Sequence, residues 1–262
     1  MNPESSIAAA ESPWLVRRKP QASPRLRLFC FPYAGAGSLP YFRWPDLLPE
    51  ADIEVCAVQP PGRENRLHEP SVEELPQLLD ALVRELSPLF DGPFAFFGHS
   101  LGALIAFELT RELRRRGLPL PGTLLVSGSE APSRRSGLPP LSGLRRDDFI
   151  RELSARYDGI PQQVLAQPEI LDLILPILRA DLKISERYTY QEEPPLPVRL
   201  CAFGGTRDPR VSEAALDTWR LQTQQSFSMK MFPGGHFFLN ELTAQVVQAV
   251  HAELAVGATP AP

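Results

Sequence analysis

The sequence predicts an α/β protein built on a mostly parallel, open sheet with helices on both faces, and three observations carry that expectation. Short apolar runs of strand length recur along the 262 residues. Stretches with apolar residues at helical spacing lie between them. One run and one helical stretch are joined by the turn "GHSLG" within "FFGHSLGALIAFEL". A strand covered by helices on both sides has no solvent face, so it reads as a continuous apolar run rather than an alternating one. Alternation of such runs with helices leads to a parallel sheet, because a parallel pair needs a crossover.

In chain order, residues 1–13 carry no such pattern and read as a disordered tail. Residues 14–19, "WLVRRK", read as an extra edge strand. Residues 26–31, 53–58, 94–97, 123–127 and 198–203 read as buried strands, and 226–232, which alternates more, as a strand nearer an edge. Residues 71–90 form a helical stretch opened by "SVEE", a capping-box pattern, and residues 101–116 form a second. From 137 to 197 no strand is expected. Residues 147–156 and 168–187 read as helices, bordered by "GLPPLSG" and "EEPPLP". One domain over 1–262 with a helical lid, 137–197, inserted between sheet strands is the expected organisation. In the later lid helix Leu171, Ile174, Leu175, Leu178 and Leu182 share a face, with a kink expected at Pro176. That face suits an acyl chamber and, equally, ordinary core packing.

Composition narrows the function classes. With 43% hydrophobic residues the chain can bury a full core. The net charge is −4 and the signs are interspersed, which leaves no electrostatic footprint for nucleic acid or an anionic membrane. Cys30, Cys56 and Cys201 are an odd set, lack CxxC spacing and sit in apolar runs, as reduced, buried thiols do. The start, "MNPESSIAAAESPW", lacks the pattern of a signal peptide, and no apolar segment approaches spanning length. The expectation is a cytoplasmic protein with no nucleic-acid or membrane partner, and nothing demands more than a monomer.

A serine hydroxyl is a poor nucleophile until a base takes its proton and the turn exposes it. A strand, a sharp turn and a helix meet that need at Ser100, with Gly98 and Gly102 leaving room for neighbouring backbone and the helix N-terminus pointing amides at developing negative charge. The chain order serine, acid, histidine then locates the partners. "GGTRDPRV" follows one strand and offers Asp208; "PGGHFFL" follows the next and offers His236. Glu130, after the strand ending at Ser127, competes with Asp208 for the role of acid. Of the four histidines, His99 lies in the turn as a structural group, His68 in a polar loop and His251 in a terminal helix. Oxyanion donors are expected from the amides of Leu101 and, in "FPYAGAGS", Ala34. A dinucleotide-binding loop fits "AGAGS" poorly, since Pro40 stands where the third glycine belongs and the next strand ends at Gln59 instead of an acid.

Taken together, "LRLFCFPYAGAGS", "VQPPGRENRL", "GHSLGALIAFEL", "LPILRADLKISERYTY", "GGTRDPRV" and "FPGGHFFL" resemble the stand-alone type II thioesterases that serve nonribosomal peptide and polyketide synthases. The resemblance spans nearly the whole chain from Trp14 onward. It implies an α/β-hydrolase fold and hydrolysis of acyl thioesters held on the phosphopantetheine arm of acyl or peptidyl carrier domains, clearing misloaded or stalled units. Carried over by position, the nucleophile falls on Ser100, the acid on Asp208, the base on His236 and the oxyanion amides on Ala34 and Leu101. The family often writes "AGG" where this chain has "AGAG", so the second donor stays open by one residue. No metal or organic cofactor is implied; phosphopantetheine arrives with the substrate. Arg134, Arg135, Arg145 and Arg146 flank the lid and could meet an acidic carrier, or form a solvated loop. A carboxylesterase or acyltransferase on the same triad, and a catalytically dead interaction protein, remain the competing readings.

Overall fold

The computed structural model describes residues 12–49, 52–134, 139–157 and 167–256. Its strands are β1 (Leu15–Val16), β2 (Leu26–Phe31), β3 (Ile53–Val58), β4 (Phe94–His99), β5 (Thr123–Ser127), β6 (Arg199–Gly205) and β7 (Phe227–Phe232). They form one sheet in the order β1-β3-β2-β4-β5-β6-β7. Every pairing is parallel except that of β1 with β3. The helices are α1 (Trp44–Leu47), α2 (Leu75–Leu86), α3 (Leu101–Arg115), α4 (Arg146–Tyr157), α5 (Pro168–Arg187), α6 (Glu213–Asp217), α7 (Phe238–Glu241) and α8 (Thr243–Val256).

Side chains alternate across each strand, and both faces are roofed. Phe29, Phe31, Phe94, Phe96, Leu124 and Leu200 pack on one side against α2 and α3. Leu28, Cys30, Ala95, Phe97, Leu125 and Phe203 pack on the other against Trp44, Phe238 and the inner face of α8. This two-sided cover is why the strands read as unbroken apolar runs; each fully buried Leu or Phe contributes ~1.5–3 kcal/mol. Burial also pushes the thiol of Cys201 up to about 12 and raises those of Cys30 and Cys56, so all three free cysteines are inert packing groups.

Two expectations change at α2 and β1. The "SVEE" segment is extended and caps nothing: α2 begins at Leu75 with Pro76 in its first turn. A cap at Ser71 would place Pro76 in the helix interior, where its missing N–H and its ring break the ladder; in the first turn neither matters. The edge strand over 14–19 shortens to Leu15–Val16, paired with Val58 and Ala57.

Between β5 and β6 the described residues hold only helical elements, a short turn at Pro132–Arg134 followed by α4 and α5. The expected lid start at 137 and residues 1–11 of the expected tail at 1–13 lie outside the described residues; the end of that tail is ordered, the Ser12 hydroxyl donating to Glu85 at 2.7 Å and its carbonyl accepting from the Leu15 N–H at 3.1 Å. Helices α4 and α5 share a separate apolar cluster of Leu141, Phe149, Leu153, Leu171, Leu175 and Leu182. Pro176 lies inside α5. Among the described residues no helix is long and apolar enough to cross a membrane. At the end of α3, Arg111, Arg114 and Arg115 all pair with Glu193 in the segment leading to β6.

Parallel register brings the carboxyl ends of the central strands to one edge, with Phe31 beside Gly98, His99 beside Ser127 and Gly205 beside Phe232. The loops after β2, β4, β6 and β7 therefore gather along a single rim, which is where an open parallel sheet places its ligand sites.

Candidate active site

Ser100 stands between β4 and α3 at φ 55°, ψ −113°. That is a strained conformation for a residue with a side chain, and it persists only where the surroundings hold it. Three contacts do so. The Ser100 N–H donates to the carbonyl of Ser127 at 2.7 Å. A Cβ on Gly98 would lie 2.1 Å from the Gly102 carbonyl oxygen, and one on Gly102 would lie 2.1 Å from that of Phe31. The two glycines thus let α3 and β2 close on the turn as backbone against backbone, and no larger residue fits either place.

His236 follows β7 and Asp208 follows β6, and both reach Ser100. The Ser100 hydroxyl meets His236 Nε2 at 3.0 Å, and His236 Nδ1 meets Asp208 Oδ2 at 2.8 Å. A carboxylate only accepts, so it fixes the proton on Nδ1 and leaves Nε2 free to accept from the serine. The side chain of Asp208 is 0% exposed and that of His236 3%. The second Asp208 oxygen accepts from the Arg210 N–H at 2.8 Å, which anchors the carboxylate in its turn. Glu130, the competing acid, lines the cavity beside Ser100 instead of meeting the imidazole Nδ1.

The remaining histidines fall elsewhere. His68 is exposed, and His251 on α8 meets Asp52 at 3.0 Å. His99 is fully buried beneath the site, its Nδ1 2.9 Å from the Ser127 hydroxyl and its ring 5.4 Å from that of His236. Burial, reinforced by the neighbouring imidazole, holds His99 well below the usual histidine range, so it is neutral when folded. In the unfolded chain it takes up a proton below about pH 6.5, and the folded state loses stability from there downward until its own lower pKa is passed; above that pH both states are neutral and nothing changes. His99→Gln is expected to flatten the fall in unfolding free energy between about pH 7 and about pH 5, by at most ~1.4 kcal/mol per pH unit for one proton. Denaturant titrations across that range check it, and identical slopes would contradict it.

The Leu101 N–H opens α3 and the Ala34 N–H follows β2; neither has an acceptor among the described residues. The Gly35 N–H, the alternative one residue on, is occupied by Asp181 at 2.7 Å. These amides border a cavity of about 300 Å³ that also contains Ser100 and His236. Its far wall is apolar, with Leu153 from α4 and Ile174, Leu178 and Leu182 from α5, so part of the shared face of α5 lines the cavity while Leu171 and Leu175 pack in the cluster behind it. The Tyr157 and His236 rings meet edge to face with centroids 5.7 Å apart, and Arg210 lies over the Tyr157 ring at 4.7 Å.

Of the flanking arginines, Arg146 pairs with Asp172, Arg134 and Arg145 are exposed, and Arg135 lies outside the described residues. Sequence reasoning assigned no role to Arg63, Glu64 or Asp181, although all three lie within the stretches that carry the resemblance. The available signal was Asp181 itself, a carboxylate seven residues from Ile174 on the same apolar stripe, where an unpaired charge is too costly to bury.

The family model for the Thioesterase domain matches residues 26–254. The chain is 39% identical to the gramicidin S biosynthesis protein GrsT of Aneurinibacillus migulanus over 94% of its own length and 96% of that protein. Among solved structures it is similar to the type II thioesterase BorB from the borrelidin biosynthetic cluster, with a TM-score of 0.83 and 32% identity over 92% of this chain and 97% of that one. It is also similar to YbtT, the type II thioesterase from the yersiniabactin NRPS/PKS pathway, with a TM-score of 0.80 and 28% identity over 94% and 100%. A serine, a histidine and an aspartate in hydrogen-bonded series, on a fold shared with these proteins and within the matched domain, lead to one conclusion: the chain is a member of the thioesterase family, a hydrolase acting on thioester bonds.

Proposed function

We propose that the protein hydrolyses acyl groups from the phosphopantetheine arm of carrier domains in nonribosomal peptide or polyketide synthesis, removing misloaded or stalled units through an acyl-enzyme on Ser100. The observation that carries the reading is the continuous series from Asp208 through His236 to Ser100 beside an apolar cavity. The synthase context rests on the likeness to BorB and YbtT.

In the first step His236 takes the hydroxyl proton as the Ser100 oxygen attacks the thioester carbonyl. The amides of Ala34 and Leu101 hold the oxyanion, aided by the dipole of α3, and Asp208 stabilises the imidazolium. Collapse expels the thiolate; a thiol has a pKa near ~8.5, so departure asks less of the general acid than amide cleavage does. The proton that His236 took from Ser100 passes to the departing sulfur, which leaves as the thiol. Water, giving its proton to the same imidazole, then releases the acid and restores Ser100. Nucleophile, base and oxyanion donors all come from this chain, so the proposed chemistry calls for no cofactor of the protein's own.

In this reading α4 and α5 form the lid over the acyl chamber. A wall of Ile174, Leu178 and Leu182 distinguishes chains one methylene apart by only ~1–3 kcal/mol, which suits an editing enzyme that must accept many acyl groups. The test compares kcat/KM on acyl-carrier, acyl-coenzyme A and simple oxygen esters of one acyl group. Acyl-carrier is expected to be the best substrate, and strong preference for the oxygen ester would overturn the proposal in favour of a carboxylesterase.

A further inference from the structure

The loop that carries Ala34 is held by carboxylates from two distant segments, "PPGRE" and "LRAD". Glu64 of the first accepts from the N–H groups of Gly37 and Ser38, each at 3.1 Å, and of Leu39 at 3.3 Å. It also accepts from the Ser38 hydroxyl at 2.8 Å. Asp181 of the second takes the Gly35 N–H at 2.7 Å. The Ala36 N–H donates to the Tyr33 carbonyl at 3.1 Å. Of the amides from residue 34 to 39, that of Ala34 is the one without an acceptor among the described residues.

Arg63 completes the arrangement. Its guanidinium forks onto Asp181, Nη1 to Oδ2 at 2.5 Å and Nη2 to Oδ1 at 2.9 Å, and Nη1 also reaches the Ala36 carbonyl at 3.3 Å. Both side chains are buried, 5% and 6% exposed. A buried ion pair is weak evidence of stabilisation, because desolvation offsets much of the attraction. Its position against the loop that holds Ala34 gives it another use. Glu64 adds an independent sign: it sits at φ 51°, and among the described non-glycine residues only Ser100 shares a positive φ. Strain of this kind gathers at sites that need a fixed geometry.

We propose that Glu64 and the Arg63–Asp181 pair are positioning residues for the reaction: by accepting from the amides of Gly35, Gly37, Ser38 and Leu39 they fix the loop's peptide planes, so that the Ala34 N–H stays aimed at the oxyanion formed on attack by Ser100. Such a donor accelerates the reaction only if it is in place beforehand. The inference rests on the acyl-transfer reading above and extends it.

The decisive variant is the double substitution Arg63→Met with Asp181→Leu. Removing one partner alone strands a buried charge, whereas replacing both with apolar groups of similar volume preserves folding and still frees the Gly35 N–H. Two inhibitors carrying the same acyl chain read the outcome. One is a trifluoromethyl ketone, to which Ser100 adds with transfer of its proton to His236, placing an oxyanion at the donors. The other is a thioether that binds without reacting. The double variant is expected to lose ~10–100-fold in kcat with KM within about threefold, and to bind the ketone more weakly by the same factor as kcat/KM while thioether affinity is kept.

Unchanged kcat in a folded double variant would overturn the inference, and so would a parallel loss of affinity for both inhibitors, which marks general distortion. Should the double variant fail to fold, Arg63→Lys, which keeps the charge and loses the fork, is judged by the same pair of inhibitors. The wild type separates this inference from the reading beneath it: if it binds the ketone no better than the thioether, the acyl-transfer reading fails instead.

Discussion

Ser100→Ala lowers kcat by ~10⁴-fold or more and leaves the thermal midpoint within about 2 °C of wild type. The first half follows from chemistry. Without the hydroxyl there is no acyl-enzyme, and what remains is water attacking a carbonyl polarised by the amides of Ala34 and Leu101, with His236 as its only base. The second half follows from geometry. Backbone contacts hold the turn, namely the Ser100 N–H on the Ser127 carbonyl and the close approach of Gly98 to Gly102, and among the described residues the side-chain oxygen hydrogen-bonds only to His236. Alanine at φ 55° carries the same backbone strain as serine, so the fold changes little. Steady-state hydrolysis of acyl-coenzyme A and a thermal melt on one preparation check both halves.

Asp208→Asn is expected to cost ~10⁴-fold in kcat, whereas Glu130→Gln stays within about tenfold of wild type. An asparagine amide offers both a donor and an acceptor to His236 Nδ1. If the NH₂ faces the imidazole, the ring is held as the wrong tautomer, with its proton on Nε2 where it cannot accept from Ser100. Even with the tautomer kept, the imidazolium formed in the first step loses its only adjacent negative partner in the series. Glu130 lines the cavity wall and bears on substrate fit, so its neutralisation moves KM more than kcat. Kinetics of the two variants decide the matter, and the reverse ranking would assign the acid to Glu130.

Much of this was legible in the sequence because burial leaves a plain signature. The runs of β2 to β6 are largely apolar on both faces, which places those strands, and the GHSLG turn with the chain order serine, acid, histidine then brings Ser100, Asp208 and His236 to one rim. The start of α2 departs from the capping-box pattern because "SVEE" satisfies a local rule that Pro76, five residues after Ser71, overrides. The role of Arg63, Glu64 and Asp181 was not legible because it depends on partners more than a hundred residues apart in the case of Arg63 and Asp181, brought together only by the fold. Likewise, nothing in the spacing of α5 distinguishes Leu178, which lines the cavity, from Leu175, which packs behind it.

The proposed mechanism stands on Ser100, activated by His236, as nucleophile. Titration with a fluorophosphonate, followed by peptide mass mapping, is expected to give one adduct per chain, on Ser100, with activity lost in proportion to labelling and no labelling of His236→Ala on the same timescale. Full labelling of Ser100 with activity retained, or an adduct on another residue that tracks the loss of activity, would rule out Ser100 in that role.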